Sequence, residues 1–131
     1  MKLVSWNARG LGGLEKRREV RELVKEKRPY VLCVQETKLM ACDGVLCASL
    51  WGDANMDYSY RPSVGASGGL LTVWNSTEVE VWSSFSQAHF LQIHGRFVQT
   101  NEEFFLFNIY APCDYRGKKD LWTSLSVRVQ L

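Results

Sequence analysis

Tyr30-Val31-Leu32-Cys33-Val34-Gln35-Glu36-Thr37-Lys38 is the stretch on which the reading of this chain turns. Five apolar residues run straight into Gln-Glu-Thr. A continuous apolar run of this length, entered through Arg28-Pro29, predicts a strand buried on both faces. Glu36 then falls at the carboxyl end of that strand, where open α/β sheets place their ligand sites. A carboxylate there either marks the point where the strand meets water or belongs to a site, and the neighbouring segments bear on the choice.

Upstream, Lys2-Leu3-Val4-Ser5-Trp6-Asn7 predicts a short strand that stops at Asn7. Ala8-Arg9-Gly10-Leu11-Gly12-Gly13 is a glycine-rich loop, too irregular for a dinucleotide or P-loop fingerprint. Leu14 to Lys27 predicts a helix, with Val20, Leu23 and Val24 at the i, i+3, i+4 spacing of one buried face. Its charges read as a solvated outer face, with Glu15–Arg18, Arg18–Glu22 and Glu22–Lys25 at helix-neighbour spacings. Pro29 ends the helix. A strand, helix, strand crossover makes its two strands parallel, so Asn7 and Glu36 belong to one edge of the sheet.

The bulk numbers exclude more than they assign. A chain of 131 residues suits one domain. With 16 basic and 14 acidic residues, the formal charge of +2 is too mild to argue for nucleic acid by itself. Seven of the basic residues nevertheless crowd between Lys16 and Arg28. The four cysteines, Cys33, Cys42, Cys47 and Cys113, show no CxxC or metal-ligand spacing. With no signal-like segment ahead of them, they read as reduced thiols of an intracellular protein. No apolar run approaches the roughly 20 residues of a membrane span, so no membrane partner is expected.

Leu39 to Asn55 is the least legible part; Val45 to Trp51 reads as a short helix or an irregular lid. Met56 to Arg61 predicts a strand and Pro62 to Gly68 a loop. Gly69–Trp74, Val79–Ser84, Phe90–Gln99 and Glu103–Tyr110 are β-branched or aromatic runs separated by short turn signals, which predicts antiparallel neighbours. Gly95 predicts a bulge or bend. A terminal helix is expected over Lys118 to Leu131. The fold class is α+β.

Three polar strand ends now stand in order: Ser5-Trp6-Asn7, Gln35-Glu36-Thr37 and Asn108-Ile109-Tyr110-Ala111-Pro112. Together with Ser67-Gly68-Gly69-Leu70-Leu71, they resemble the endonuclease/exonuclease/phosphatase superfamily. The fuller strings are most similar to the apurinic-like endonuclease of plant non-LTR (LINE-type) retrotransposons. The resemblance spans nearly the whole chain; each motif is weak alone, and the four in order are specific. It implies the N-terminal portion of a four-layer α/β sandwich, two mostly antiparallel sheets face to face with outer helices. It implies hydrolysis of phosphoester bonds with Mg²⁺ (or Mn²⁺), no small organic cofactor, DNA as substrate, and a nuclear place of action.

By motif, Glu36 resembles the metal-binding carboxylate, which suits a hard ion that keeps several waters and needs only one or two carboxylates. Asn7 resembles the residue that hydrogen-bonds within the metal and phosphate site, and Tyr110 the tyrosine facing the scissile phosphate. Structurally, Asn7 also suits a turn cap and Tyr110 a core aromatic with a wet hydroxyl. Arg9 stands where relatives carry Asp or Asn, so it is not a metal ligand; it and Lys38 are candidate phosphate contacts. His89 and His94 resemble no catalytic context and are expected on the surface or a sheet face.

The resemblance also implies what is missing. Family members carry a later Gly-Asp-Phe-Asn-type motif and a Ser-Asp-His-type motif, and this sequence has neither. Residues 1–131 thus read as a single partial domain, truncated before both motifs and lacking its second half. Losing members of a catalytic unit costs orders of magnitude in rate, so low or absent activity is expected. The alternatives are a non-catalytic retrotransposon remnant with weak or no nucleic-acid binding, and a phosphatase of the same superfamily. Uncovered sheet faces and edges predict marginal stability.

Overall fold

In the computed structural model, which describes residues 2–110, the apolar run is a strand with both faces covered. The elements are β1 (Leu3–Asn7), α1 (Leu14–Lys27), β2 (Val31–Gln35), α2 (Gly44–Trp51), β3 (Met56–Arg61), β4 (Leu70–Asn75), β5 (Val79–Gln87), β6 (Phe90–Phe97) and β7 (Glu103–Ile109). One sheet has the order β1-β2-β4-β3 and the other β5-β6-β7. The β1–β2 pair is parallel, as a helical crossover requires, and the remaining pairs are antiparallel. The expected terminal helix, Cys113, Ala111 and Pro112 lie outside the described residues.

The two-residue period of β2 divides its side chains between two cores. Leu32 and Val34 join Leu71, Val73, Val20, Val24, Cys47 and Leu50 under the helices. Val31 and Cys33 join Trp74, Val79 and Ile93 between the sheets. Each fully buried aliphatic side chain contributes about 1.5–3 kcal/mol, so β2 anchors both layers at once. Helices, first sheet and second sheet are three layers of the expected sandwich.

The predicted helix Leu14–Lys27 forms with those bounds, Val20 and Val24 buried. It ends where Arg28 turns left-handed (φ 46) and donates its N–H to Val24, one residue before Pro29. The expected ion pairs do not form. The helix instead holds a Lys16–Glu19 contact at 3.8 Å. Exposed pairs gain little against the entropy of two long side chains, so spacing alone does not set them. Residues 44–51 resolve as helix: Asp43 caps it by accepting from the Leu46 N–H at 2.8 Å, and Gly52 closes it at φ 102.

One strand expectation fails. β4 and β5 are joined by a short turn, which predicted an antiparallel pair. They lie in different sheets instead. Both neighbours of β4 are already taken, by β2 and β3, so the chain turns the corner of the sandwich. Asn75 fixes that corner, its Oδ1 accepting from the Thr77 N–H (2.9 Å) and hydroxyl (2.6 Å). The bulge expected at Gly95 sits on the facing strand, where the register shifts between Val81 and Ser83. Gly95 opposes Val81 there, and a Cβ on it would overlap the Glu80 carbonyl.

Candidate active site at the strand-end edge

Registry brings the polar strand ends together. Asn7 pairs with Gln35, Gln35 with Leu70, and Leu70 with Arg61, a single row across the first sheet. In the second sheet, Gln87, Phe90 and Ile109 form the corresponding row. Two side-chain bonds tie the rows: Arg61 Nη1 donates to Ser86 Oγ at 3.1 Å, and Gln35 Nε2 donates to Asn108 Oδ1 at 2.8 Å. Asn7, Glu36 and Tyr110 therefore share the edge where both sheets end.

Asn108 is the hub of this edge and is 1% exposed. Its Nδ2 donates to the Val34 carbonyl (3.2 Å), the Leu71 carbonyl (3.0 Å) and Thr72 Oγ1 (3.2 Å). A buried amide so engaged fixes the end of β7 against β2 and β4, since an unpaired one would cost more than the bonds supply. Gln35 extends the network to Ser5 Oγ at 3.0 Å. Neither residue was assigned a role from sequence, although both sit inside the quoted motifs. The signal was an amide one residue before Glu36 and another two residues before Tyr110.

Glu36 is half-buried with φ 53, a left-handed conformation. Backbone bonds hold it: Gly10 N–H donates to the Glu36 carbonyl at 2.7 Å, and Leu11 N–H to the Thr37 carbonyl at 2.8 Å. On the other side, Thr37 N–H donates to Gly69 at 3.2 Å and Lys38 N–H to Gly68 at 2.8 Å. Gly69, with φ 94, must lack a side chain, because a Cβ would overlap Thr37 Oγ1. Among the described residues, the Glu36 carboxylate has no hydrogen-bond or ion-pair partner.

Asn7 is exposed and caps the turn after β1, its Oδ1 accepting from the Arg9 N–H at 3.1 Å. The structural role weighed for it is thus present, and its Nδ2 keeps no partner among the described residues. Arg9 (φ 51) and Lys38 (φ 55) are exposed on the two loops flanking Glu36. Tyr110 donates its N–H to the His89 carbonyl at 2.9 Å. Both line a cleft of about 250 Å³ with Arg61, Ser67, Gly68 and Gly69.

His94 follows its sheet-face expectation, stacked on Phe105 at 4.1 Å and bonded to Glu103 at 2.6 Å. His89 lies partly exposed in the turn between β5 and β6, at the same edge as Tyr110. No cluster of three or more His, Cys, Asp or Glu side chains suited to a metal ion occurs among the described residues. Glu36 alone, a single oxygen ligand, would suit only a hard ion that retains most of its waters. The cysteines stand away from this chemistry. Burial pushes Cys33 and Cys42 up to about 11 and Cys47 up to about 12, so all three are inert thiols at neutral pH.

Two sheets face to face, with helices on one outer side and the polar strand ends along one edge, define an α+β sandwich class. Residues 4–128 match the profile of the Endonuclease/Exonuclease/phosphatase family, and the chain belongs to that family. No curated protein sequence matches it. Among solved structures, the AP endonuclease LMAP from Leishmania major superposes with a TM-score of 0.62 at 20% identity, covering 84% of this chain and 40% of that one. The Xenopus laevis APE2 catalytic domain gives 0.62 at 17%, covering 94% and 49%. D. rerio TDP2 complexed with a single-strand DNA product gives 0.64 at 17%, covering 95% and 52%. The chain thus spans about half or less of the length of these structures, and at such identities they speak for the fold.

Proposed function

We propose that this chain is the N-terminal part of a metal-dependent DNA phosphodiester hydrolase of the LINE retrotransposon type. The observation that carries the reading is Glu36: a carboxylate with no partner among the described residues, in a left-handed backbone conformation, at the edge where both sheets end. Strain of this kind collects at functional sites. In this reading Glu36 and the waters it orients hold a divalent ion, Mg²⁺ or Mn²⁺. When bound, that ion stabilises charge on the phosphate and the leaving oxygen. Asn7 and Tyr110 donate hydrogen bonds toward the scissile phosphate, and Arg9 and Lys38 supply positive charge for the strand. The water-activating and phosphate-binding groups of the Gly-Asp-Phe-Asn and Ser-Asp-His motifs belong to a second half of the domain. The place of action is intracellular and, by analogy with such elements, nuclear.

The test is nicking of supercoiled plasmid with Mg²⁺, beside EDTA and Glu36→Ala controls. Little nicking is expected from this chain alone, and restoration when the second half is supplied. Nicking that survives both controls removes Glu36 from the mechanism. A second reading, a non-catalytic remnant, is favoured by the chain's matching only 40–52% of the length of the similar solved structures. It predicts that a chain completed with the second half still fails to nick.

A further inference from the structure

The cleft beside Gly68–Gly69 holds two residues that the family resemblance does not assign, Arg61 and His89. Arg61 is half-buried at the last register position of β3, opposite Leu70. Ser86 Oγ fixes one of its nitrogens at 3.1 Å. Among the described residues no carboxylate pairs with it. A guanidinium pinned by a neutral hydroxyl keeps its remaining N–H donors and its full charge for an anion.

His89 closes the other side. Its Nδ1 is buried with no hydrogen-bond partner. A buried N–H without an acceptor is the costlier arrangement, so the proton belongs on Nε2. Nε2 then serves as a donor with no protein acceptor among the described residues. Tyr110 is held next to it through the bond from its N–H to the His89 carbonyl, 2.9 Å. Arg61, His89 and Tyr110 thus line one cleft, and none of its lining residues among those described is a carboxylate.

Position decides which anion. Arg61 lies two strands away from Gln35 in the edge row, through Leu70. At the usual strand spacing this is on the order of 10 Å. Backbones that far apart suit contacts to successive phosphates along one bound strand. We propose that Arg61 and His89 bind a second phosphodiester of the nucleic-acid strand, next along from the one at Glu36, and so set the path of the strand across the edge. This deepens the proposed nuclease reading and rests on it. The same chemistry would accept free phosphate, so the test separates the two sources.

The experiment measures anisotropy of a labelled oligonucleotide with the full chain in EDTA, over a salt series. In parallel, NMR follows the two histidine side chains during titration with inorganic phosphate. Arg61→Ala is expected to weaken DNA binding about tenfold and to lower the salt slope by about one. Arg61→Lys should keep the slope, and His89→Ala should weaken binding a few-fold. Phosphate should move the signals of His89 and not those of His94. If the chain binds DNA and Arg61→Ala leaves affinity and slope unchanged, this proposal falls while the nuclease reading stands. If phosphate moves His89 but DNA does not bind, the cleft is a free-anion site, and the strand assignment falls together with the nuclease reading.

Discussion

Removing the Asn108 amide tests whether the site edge depends on one buried side chain. Its two N–H groups serve three acceptors and its oxygen accepts from Gln35, which amounts to about three effective bonds. At about 1 kcal/mol net for each, Asn108→Ala should cost about 3 kcal/mol, a large share of the 5–15 kcal/mol of a typical domain. Asn108→Asp is the sharper probe, because it keeps the shape and turns donors into acceptors facing the Val34 and Leu71 carbonyls. Burial among carbonyl oxygens raises the folded carboxyl pKa above the unfolded value of about 3.9. Its protonated form supplies one O–H donor, so stability relative to the parent is best below about pH 4. That stability is lost as pH rises through the folded pKa. Urea unfolding at pH 4 and pH 7 reads both effects as shifts in midpoint at constant slope. An Asn108→Ala loss below about 1 kcal/mol, or an Asp variant that gains on the parent toward neutral pH, would refute the reasoning.

The remaining predictions concern backbone, thiols and edges. Gly69→Ala, which overlaps Thr37 Oγ1 at φ 94, should cost at least about 2 kcal/mol by thermal or urea melts; Gly68→Ala, with open space around it, should cost distinctly less. Glu36→Gly should hold stability within about 1 kcal/mol, because relief of left-handed strain offsets lost chain stiffness. The same change should abolish any nicking by a completed domain; a large stability loss would show that the carboxylate is structural. Since burial raises the cysteine thiols to about 11–12, their contribution is intact below about pH 9 and lost as pH climbs toward those values. Urea midpoints at pH 8 and pH 10.5 should fall accordingly, and rapid labelling of Cys33, Cys42 or Cys47, located by peptide mapping, in native chain at pH 8 would contradict their burial. Melting from monomeric material well above room temperature would refute the expected marginal stability.

The parts legible in sequence were those governed by short-range periodicity. The two-sided burial of residues 31–34 and the bounds of α1 followed from apolar spacing. The shared edge of Asn7 and Glu36 followed from crossover geometry, and register bears it out. What stayed hidden depended on contacts remote in the chain. Asn108 bonds to residues 36, 37, 73 and 74 positions away, and no local pattern distinguishes such an amide from a solvated one. The β4–β5 corner was misread for the same reason: a short turn is compatible with a hairpin or with a change of sheet, and only the occupancy of β4's neighbours decides. His89 matches no motif through its flanking residues, and only the fold brings it into the lining of the same cleft as Arg61.

The backbone ties these observations together. Among the non-glycine residues with positive φ, Arg9, Glu36 and Lys38 all flank the candidate site, at 51, 53 and 55. Each such residue costs about 1–2 kcal/mol, and helix or strand preference supplies no offset in a loop. The offset comes from the bonds that stitch residues 8–11 and 68–69 onto residues 35–38, a second ladder continuing the sheet past its formal end. Those bonds satisfy backbone groups that would otherwise face a crowded edge. They also fix the two cationic residues on either side of a carboxylate that has no partner among the described residues. Such an arrangement is unfavourable as a means of stability alone. Its effect is to hold three charged side chains on short, backbone-tied loops at one end of the sheet.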